Sequence, residues 1–180
     1  GALDAGFKST IDHFKRQCMA IAADMLMTKP EQESRLLTMI VNKLGDPSTK
    51  IVSKALELLK QQVSHHPAMR VTVVREIRQL IFRPEINPRI IYNGVIFLVQ
   101  TSLTSKDNEL AEVLVETYLN LFERTVNNEE LQSKLLAALL TGVNRAFPFL
   151  KDKKTLISHI DSLFRIAHSA SFATSTQALV

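Results

Sequence analysis

Residues 46–64, DPSTKIVSKALELLKQQVS, contain a helix start followed by an apolar stripe. Asp46 is a good N-cap residue, and Pro47 suits the first turn of a helix because an N–H would have no intrahelical partner there. The residues that follow place apolar side chains on one side at helical spacing and lysines on the other. The stripe consists of Ile51, Val52, Ala55, Leu56, Leu59 and Val63. This stretch therefore predicts an amphipathic helix with one buried face.

The same kind of start recurs at a fixed interval along the chain. Asn87 precedes a proline, and Asn128 precedes two glutamates suited to the positive end of a helix dipole. Asp46, Asn87 and Asn128 lie 41 residues apart. A second break, such as Pro67, divides each interval into two helices. Two helices in an interval of about 40 residues are typical of HEAT-type repeats.

The whole chain predicts an all-α fold. Its five glycines and six prolines are too few for many tight β-turns, and 46% of its residues are hydrophobic against 22% charged. Because no helix can bury its apolar stripe alone, neighbouring pairs must stack into a solenoid. We predict a HEAT/armadillo-like α-solenoid of about four helix pairs plus the start of a ninth helix. The helices are expected near 4–27, 30–44, 47–64, 67–82, 88–103, 107–126, 129–147 and 153–169, with the ninth from about 172.

The two ends of the sequence suggest a piece of a longer protein. The chain does not begin with Met, and an apolar helical pattern begins after Ser171 without a Gly or Pro to close it. We therefore expect residues 1–180 to be a single HEAT-like helical-repeat segment, an internal fragment of a longer chain.

The residue pattern lacks the common catalytic and metal-binding motifs. Cys18 is the only cysteine, so the chain forms no internal disulfide, and it resembles a small buried apolar residue rather than a nucleophile. His65 and His66 precede a proline, and we interpret them as a helix-end cap or loop rather than half of a metal site. No phosphate loop or nucleophile motif occurs, and no apolar run reaches the roughly 20 residues of a membrane span. We predict an intracellular protein that is not an enzyme, with no cofactor, metal, small-molecule substrate or membrane contact.

Charge is distributed unevenly, although the net charge is only +4. Residues 65–89 carry five arginines against two glutamates, residues 107–130 carry seven acids against one arginine, and residues 145–165 are basic again. Arginine suits bidentate contacts with phosphate or carboxylate, whereas a solvated helix face is the alternative interpretation. No aromatic residues for base stacking interleave with the basic groups, so phosphate contact is the most that they predict. The candidate contacts with RNA or a protein partner are Arg70, Arg75, Arg78, Arg83, Arg89, Lys151, Lys153 and Lys154.

Residues 133–149, SKLLAALLTGVNRAFPF, strongly resemble the hallmark segment of the CCAAT-binding-factor domain family. These are the nucleolar complex proteins that assemble the large ribosomal subunit. Residues 41–47 (VNKLGDP), 161–166 (DSLFRI) and 172–179 (FATSTQAL) are similar to the same family. The resemblance covers most of the chain and is weakest before about residue 25.

The resemblance implies a nuclear and nucleolar scaffold in ribosome biogenesis and rRNA processing. Its expected partners are a nucleolar complex protein of the same family and the pre-ribosomal particle, including pre-ribosomal RNA. The alternative that the family implies is a protein–protein interaction module of a transcription cofactor acting at CCAAT promoters. The segment contains no zinc finger or basic zipper, which argues against sequence-specific DNA recognition by these residues.

The hallmark segment contains apolar residues that need burial and polar residues that do not. Its periodic leucines are interpreted as core, and Gly142 as a point of close helix approach. Asn144 and Arg145 are predicted either to satisfy the backbone of a neighbouring repeat or to face a partner. Pro148 is expected to end the helix. The six hallmark positions are Thr141, Gly142, Asn144, Arg145, Phe147 and Pro148.

Overall fold

The computed structural model describes residues 1–29, 34–126 and 132–154, together with residues 157, 160, 161 and 165. Within these ranges every regular element is helical. The α-helices are α1 (Ala2–Phe7), α2 (Asp12–Thr28), α3 (Ser34–Asn42), α4 (Thr49–His65), α5 (Arg70–Ile81), α6 (Pro88–Gln100), α7 (Asn108–Val126) and α8 (Gln132–Ala146). Short 3-10 helices cover Lys43–Gly45, Pro67–Met69 and Phe147–Phe149. The predicted all-α class is confirmed for the described residues.

One predicted helix is wrong in extent. The single helix expected over 4–27 is two helices, α1 and α2, with a break at residues 8–11. The hydroxyl of Ser9 accepts a hydrogen bond from the backbone N–H of Ile11 at 3.1 Å, which offers the chain a local turn in place of a helical hydrogen bond. The six predicted helices that follow each correspond to one of α3 to α8. Most of the predicted helix at 153–169, the start at Asn128 and the predicted ninth helix lie outside the described residues.

The two proline-linked starts differ in their capping. Asn87 caps α6 as predicted, because its Oδ1 accepts a hydrogen bond from the backbone N–H of Arg89 at 2.9 Å. The predicted N-cap at Asp46 is wrong, since α4 begins at Thr49 and Ser48 occupies the N-cap position. The carboxylate of Asp46 instead contacts two lysines and the backbone N–H of Ser48.

The chain forms two compact units, residues 1–97 and 98–180. In the first unit, α2 packs against α3 and α4, and α3 packs against α5. The first helices of successive pairs, α2 and α4, therefore pack against each other, and so do the second helices, α3 and α5. Fully buried side chains at these contacts are Met19, Leu26, Leu37, Ile40, Leu44, Ile51, Leu59 and Ile77.

In the second unit, α7 packs along α8, and the 3-10 helix at Phe147–Phe149 contacts α7. The buried face of α7 repeats at helical spacing and meets a narrower buried face on α8. These two faces contribute Leu110, Leu114, Tyr118, Leu121, Leu135, Leu139 and Ala146. The core of this unit therefore lies between α7 and α8.

Candidate binding surfaces

The five candidate arginines extend over two helices and the turn that joins them. Arg70, Arg75 and Arg78 belong to α5, Arg83 lies in the turn after it, and Arg89 is in the first turn of α6. Arg70 is half-buried, and its Nε donates a hydrogen bond to the Pro67 carbonyl at 3.1 Å. The arginines are therefore close in sequence without forming one uniform patch.

Arg78 and Arg89 are among the guanidinium groups that contact neighbouring structure in the same unit. Arg89 is exposed, yet its two terminal nitrogens lie 3.4 and 3.5 Å from the Pro47 carbonyl oxygen. Arg78 is half-buried, and its guanidinium lies 5.9 Å from the centroid of the Phe82 ring. These contacts give Arg78 and Arg89 a structural role in addition to their charge.

The outer face of α5 carries a line of exposed polar residues. Thr72, Arg75, Gln79 and Arg83 are all exposed and follow one another at spacings of three and four. Arg75 therefore shares an exposed polar face of α5 with Thr72 and Gln79, and Arg83 is exposed in the turn that follows the helix. Sequence reasoning missed Thr72 and Gln79, although their spacing from Arg75 could have placed them on that face.

The three candidate lysines occupy the turn after the 3-10 helix at Phe147–Phe149. Lys151, Lys153 and Lys154 are exposed, and the backbone N–H of Lys154 donates to Asp152 Oδ1 at 3.1 Å. The Nζ atom of Lys153 lies 5.7 Å from the centroid of the Phe147 ring. This cation therefore sits over one of the hallmark aromatic residues.

Gly142 lies where α8 approaches α7 closely. A Cβ added to this buried glycine would lie 2.7 Å from two ring atoms of Tyr118 and 3.0 Å from Val99 Cγ2. The geometry agrees with the interpretation of Gly142 as a point of close helix approach. Tyr118 is almost completely buried there, and burial raises the pKa of its phenol well above its ordinary value.

The polar residues of the hallmark segment lie mainly outside the core. Asn144 and Arg145 are exposed. The hydroxyl of Thr141 donates a hydrogen bond to the Ala137 carbonyl of the same helix at 2.8 Å. Pro148 lies in the 3-10 helix that follows α8. The α-helix therefore ends one residue before Phe147, near the position that Pro148 predicts.

Other side chains satisfy backbone carbonyls between helices. Asn93 Nδ2 donates to the Leu44 carbonyl at 3.0 Å, and Asn108 Nδ2 donates to the Phe149 carbonyl at 2.7 Å. His66 Nε2 lies 2.9 Å from the Met27 carbonyl oxygen at the end of α2, in agreement with its interpretation as a helix-end residue. Asn93 and Asn108 were missed from the sequence, because a single polar residue on a helix gives no periodic signal.

A buried carboxylate with two lysines connects three parts of the first unit. Asp46 is 7% exposed, and its carboxylate oxygens lie 3.1 Å from Lys15 Nζ and 3.2 Å from Lys43 Nζ. Burial alone would raise the pKa of Asp46, but hydrogen bonds from Ser48 N–H and the two ammonium groups outweigh it and hold the pKa below its ordinary value. Asp12 lies beside the group, accepting a hydrogen bond from the Ser48 hydroxyl at 2.6 Å.

No residues assemble into a metal site in the part of the chain that the structure describes. Groups of three or more His, Cys, Asp or Glu side chains arranged to hold an ion do not occur there. Cys18 is buried, and the helices described include none that is both long and apolar enough to span a bilayer.

Comparison with known proteins identifies relatives over nearly the whole chain. No family model matches the chain. It is 40% identical to human CCAAT/enhancer-binding protein zeta over 92% of its own length and 16% of that protein. It is 34% identical to ribosome biogenesis protein NOC1 of Chaetomium thermophilum, over 99% of the chain and 20% of the relative. It is 31% identical to nucleolar complex protein 1 of Drosophila melanogaster, over 97% of the chain and 15% of the relative.

The chain thus spans less than a quarter of the curated relatives that it matches. Its identity to them extends through both compact units, including the hallmark segment in α8. The family resemblance predicted from residues 133–149 is therefore confirmed, and the chain is a homologue of one segment of the CCAAT/enhancer-binding protein zeta and nucleolar complex protein 1 family.

Proposed function

We propose that the chain is a non-catalytic helical scaffold that acts in the nucleus and nucleolus during assembly of the large ribosomal subunit. The names of its relatives, ribosome biogenesis protein and nucleolar complex protein, support this role. Its proposed partners are a nucleolar complex protein of the same family, the pre-ribosomal particle and pre-ribosomal RNA. The scaffold binds these partners through its surface and performs no chemistry on them.

We further infer that the helices belong to a HEAT/armadillo-type repeat. The pairing of α2 with α4 and of α3 with α5 supports this in the first unit, because equivalent helices of successive pairs are neighbours in such repeats. The interval of 41 residues between Asp46 and Asn87 supports it as well. Extended, regularly packed helices would present long surfaces to macromolecular partners.

The observation that carries the RNA part of the proposal is the open face of α5. Arg75 is exposed on that face, with Thr72 and Gln79 as neighbouring hydrogen-bonding groups, and Arg83 is exposed in the turn that follows α5. Guanidinium groups bind phosphate oxygens bidentately and are more weakly hydrated than ammonium groups. Arg78 and Arg89 contact Phe82 and Pro47 instead. We therefore assign the RNA phosphate contact to Arg75 and Arg83 first.

The test compares RNA binding of the wild type, an Arg75→Gln/Arg83→Gln variant and a matched control across a salt series. The control is Lys50→Gln/Lys60→Gln, which removes two exposed positive charges from α4 in the same unit. With single-stranded pre-ribosomal RNA, loss of two phosphate contacts should reduce the slope of log affinity against log salt by about 1.4.

The control separates local contact from general electrostatic attraction. If the α5 variant binds with the wild-type salt slope, or the α4 control loses as much affinity, the assignment of RNA contact to α5 is wrong. Circular dichroism of each variant shows whether the helices are retained.

The second candidate function is that of a protein interaction module of a transcription cofactor at CCAAT promoters. The name of the human relative, CCAAT/enhancer-binding protein zeta, favours it. Retention of the chain on a CCAAT duplex through a transcription factor bound to that duplex, and not on a scrambled duplex of equal length, would support this candidate over the ribosomal one.

A further inference from the structure

The second unit contains an open cleft beside α8. Its volume is about 340 Å³, and its described walls are formed by one face of α8 with Phe147 and by helical residues of the segment after the lysine turn. The lining residues are Leu140, Val143, Asn144, Phe147, Ile157, Ile160 and Asp161. Five of these seven side chains are apolar, and they come from two helical stretches that face one another. The cleft therefore has an apolar floor.

The apolar floor continues the side of α8 that forms the core. Leu135 and Leu139 are buried against α7, whereas Leu140, Val143 and Phe147 remain only half-buried. Leu140 and Val143 also face Tyr118 and Phe122 of α7. Ile157 is 46% exposed on the opposite wall. The apolar surface of α8 thus extends beyond its contact with α7 and stays partly accessible to solvent in the described part of the unit.

Basic residues lie at one end of this cleft. Lys153 lies over the ring of Phe147, which is itself a wall residue, and Lys151 and Lys154 are exposed in the same turn. Asp152 contributes the only acid of that turn, and its Oδ1 is hydrogen-bonded to the backbone N–H of Lys154. The end of the cleft at Phe147 is therefore electropositive.

We propose that this cleft binds an acidic amphipathic helix of a protein partner. Leucine-like side chains on one face of that helix would enter between Val143 and Ile157, and its carboxylates would meet Lys153 and the lysines beside it. The inference deepens the proposed function, because it names the chemistry of a protein partner for the scaffold. It also separates the two basic groups, with the arginine face assigned to RNA and the lysine turn to protein.

Charge and surface chemistry favour this occupant over RNA and over a second copy of the chain. RNA would leave the apolar floor without a complementary surface. The seven lining residues are far fewer than the roughly 20–30 residues on each side of a standard interface between folded subunits. A single helix with leucines on one face and carboxylates beside them matches the apolar floor and the basic end of the cleft.

The experiment uses the whole chain and three synthetic peptides of about 18 residues, five helical turns each. The first carries leucines at positions i, i+3, i+4 and i+7 with glutamates on the polar face. The second replaces the glutamates with lysines, and the third replaces the leucines with serines. Fluorescence anisotropy of labelled peptides measures each affinity. We expect the acidic leucine peptide to bind at least about tenfold more tightly than either of the others.

Two variants and two matched controls locate the binding site. Ile157→Gln and Lys153→Glu change exposed positions of the cleft and should each weaken binding of the acidic peptide about tenfold. Ala137→Gln and Lys106→Glu make comparable changes at exposed positions of the same unit outside the cleft lining, and binding should stay within about twofold of wild type.

Several results would overturn the proposal. Equal binding of the acidic and basic peptides would remove its charge argument, and equal binding by the Ile157→Gln variant would place the peptide elsewhere. Sedimentation that shows a dimer lost in Ile157→Gln would assign the cleft to a second copy. If RNA displaces the peptide from the wild type and Lys153→Glu alone abolishes RNA binding, the lysine turn would be assigned to RNA. The salt series on Arg75 and Arg83 is an independent measurement, so failure of either proposal can be recognised separately.

Discussion

The Nζ atom of Lys15 lies 3.1 Å from Oδ2 of Asp46, and this contact joins α2 to the segment that leads into α4. Lys43 approaches the same oxygen at 3.2 Å. The side chain of Asp46 is only 4% exposed, so its charge depends on these two partners and on the Ser48 N–H for compensation. Helix α2 and the distant segment from Lys43 to Ser48 therefore share one electrostatic centre.

Asp46→Asn should destabilise the first unit by about 2 kcal/mol. The substitution keeps the shape of the side chain but removes the carboxylate beside two largely buried ammonium groups, of which Lys15 retains the more distant Asp12 at 3.9 Å. Urea unfolding at neutral pH, followed by circular dichroism, measures the change in the free energy of unfolding. Asp24→Asn removes an exposed carboxylate from α2 and serves as the control, with an expected change below about 0.5 kcal/mol. Equal stability of the two variants would show that the lysine contacts do not stabilise the fold.

The contribution of Asp46 should also depend on pH. Its folded-state pKa is lowered, so the unfolded chain binds a proton more readily than the folded chain does as the medium becomes acidic. The stabilisation is therefore present above the unfolded-state pKa of about 3.9 and decreases as the pH falls through the lower folded-state value. The stability difference between wild type and Asp46→Asn should be constant from about pH 7 to 5 and smaller at about pH 3. A difference that is unchanged at the acidic end would contradict this mechanism.

The sequence predicted the helices well and the polar contacts between them poorly. Regular apolar spacing identified α4, α7 and α8, because burial of one helix face imposes a period that can be read locally. The break between α1 and α2 was missed, since it is marked by a hydrogen bond to the Ser9 hydroxyl rather than by a Gly or Pro.

The candidate surfaces illustrate the same limit. The sequence grouped five arginines by their proximity along the chain, but only the folded structure separates exposed Arg75 and Arg83 from Arg78, which lies over Phe82, and from Arg89, which contacts Pro47. Asp46 was predicted to cap a helix because it precedes Pro47. Its contacts with two lysines, 31 and three residues away, were missed because no local pattern links all three.

Gly142→Ala should destabilise the second unit by about 1 kcal/mol. Alanine favours a helix over glycine by about 1 kcal/mol, but its methyl group would overlap the Tyr118 ring at 2.7 Å, and overpacking typically costs about 1–3 kcal/mol. The steric effect should prevail because both helices are held by the surrounding core. Thermal unfolding of the single variant measures the sum of the two effects.

A second background separates the steric effect from helix propensity. In a Tyr118→Leu chain the ring is removed, so Gly142→Ala should be neutral or stabilising when compared with Tyr118→Leu alone. If Gly142→Ala costs the same in both backgrounds, contact with the ring is not its cause. Thr141→Ala, at the neighbouring exposed position, controls for changes in α8 that do not approach α7.

Asn108→Ala should loosen the turn that carries the lysines. The side-chain amide of Asn108 donates to the Phe149 carbonyl at 2.7 Å, and this bond fixes the end of the 3-10 helix just before Lys151. Losing the donor leaves a partly buried carbonyl without this partner and should cost about 1–2 kcal/mol. Hydrogen exchange should increase at residues 147–154 while the amides in the middle of α7 remain protected. Because Lys153 is held beside Phe147 by this turn, the variant should also bind the acidic amphipathic peptide more weakly. Hydrogen exchange that increases equally throughout α7 and α8 would instead indicate a general loss of stability.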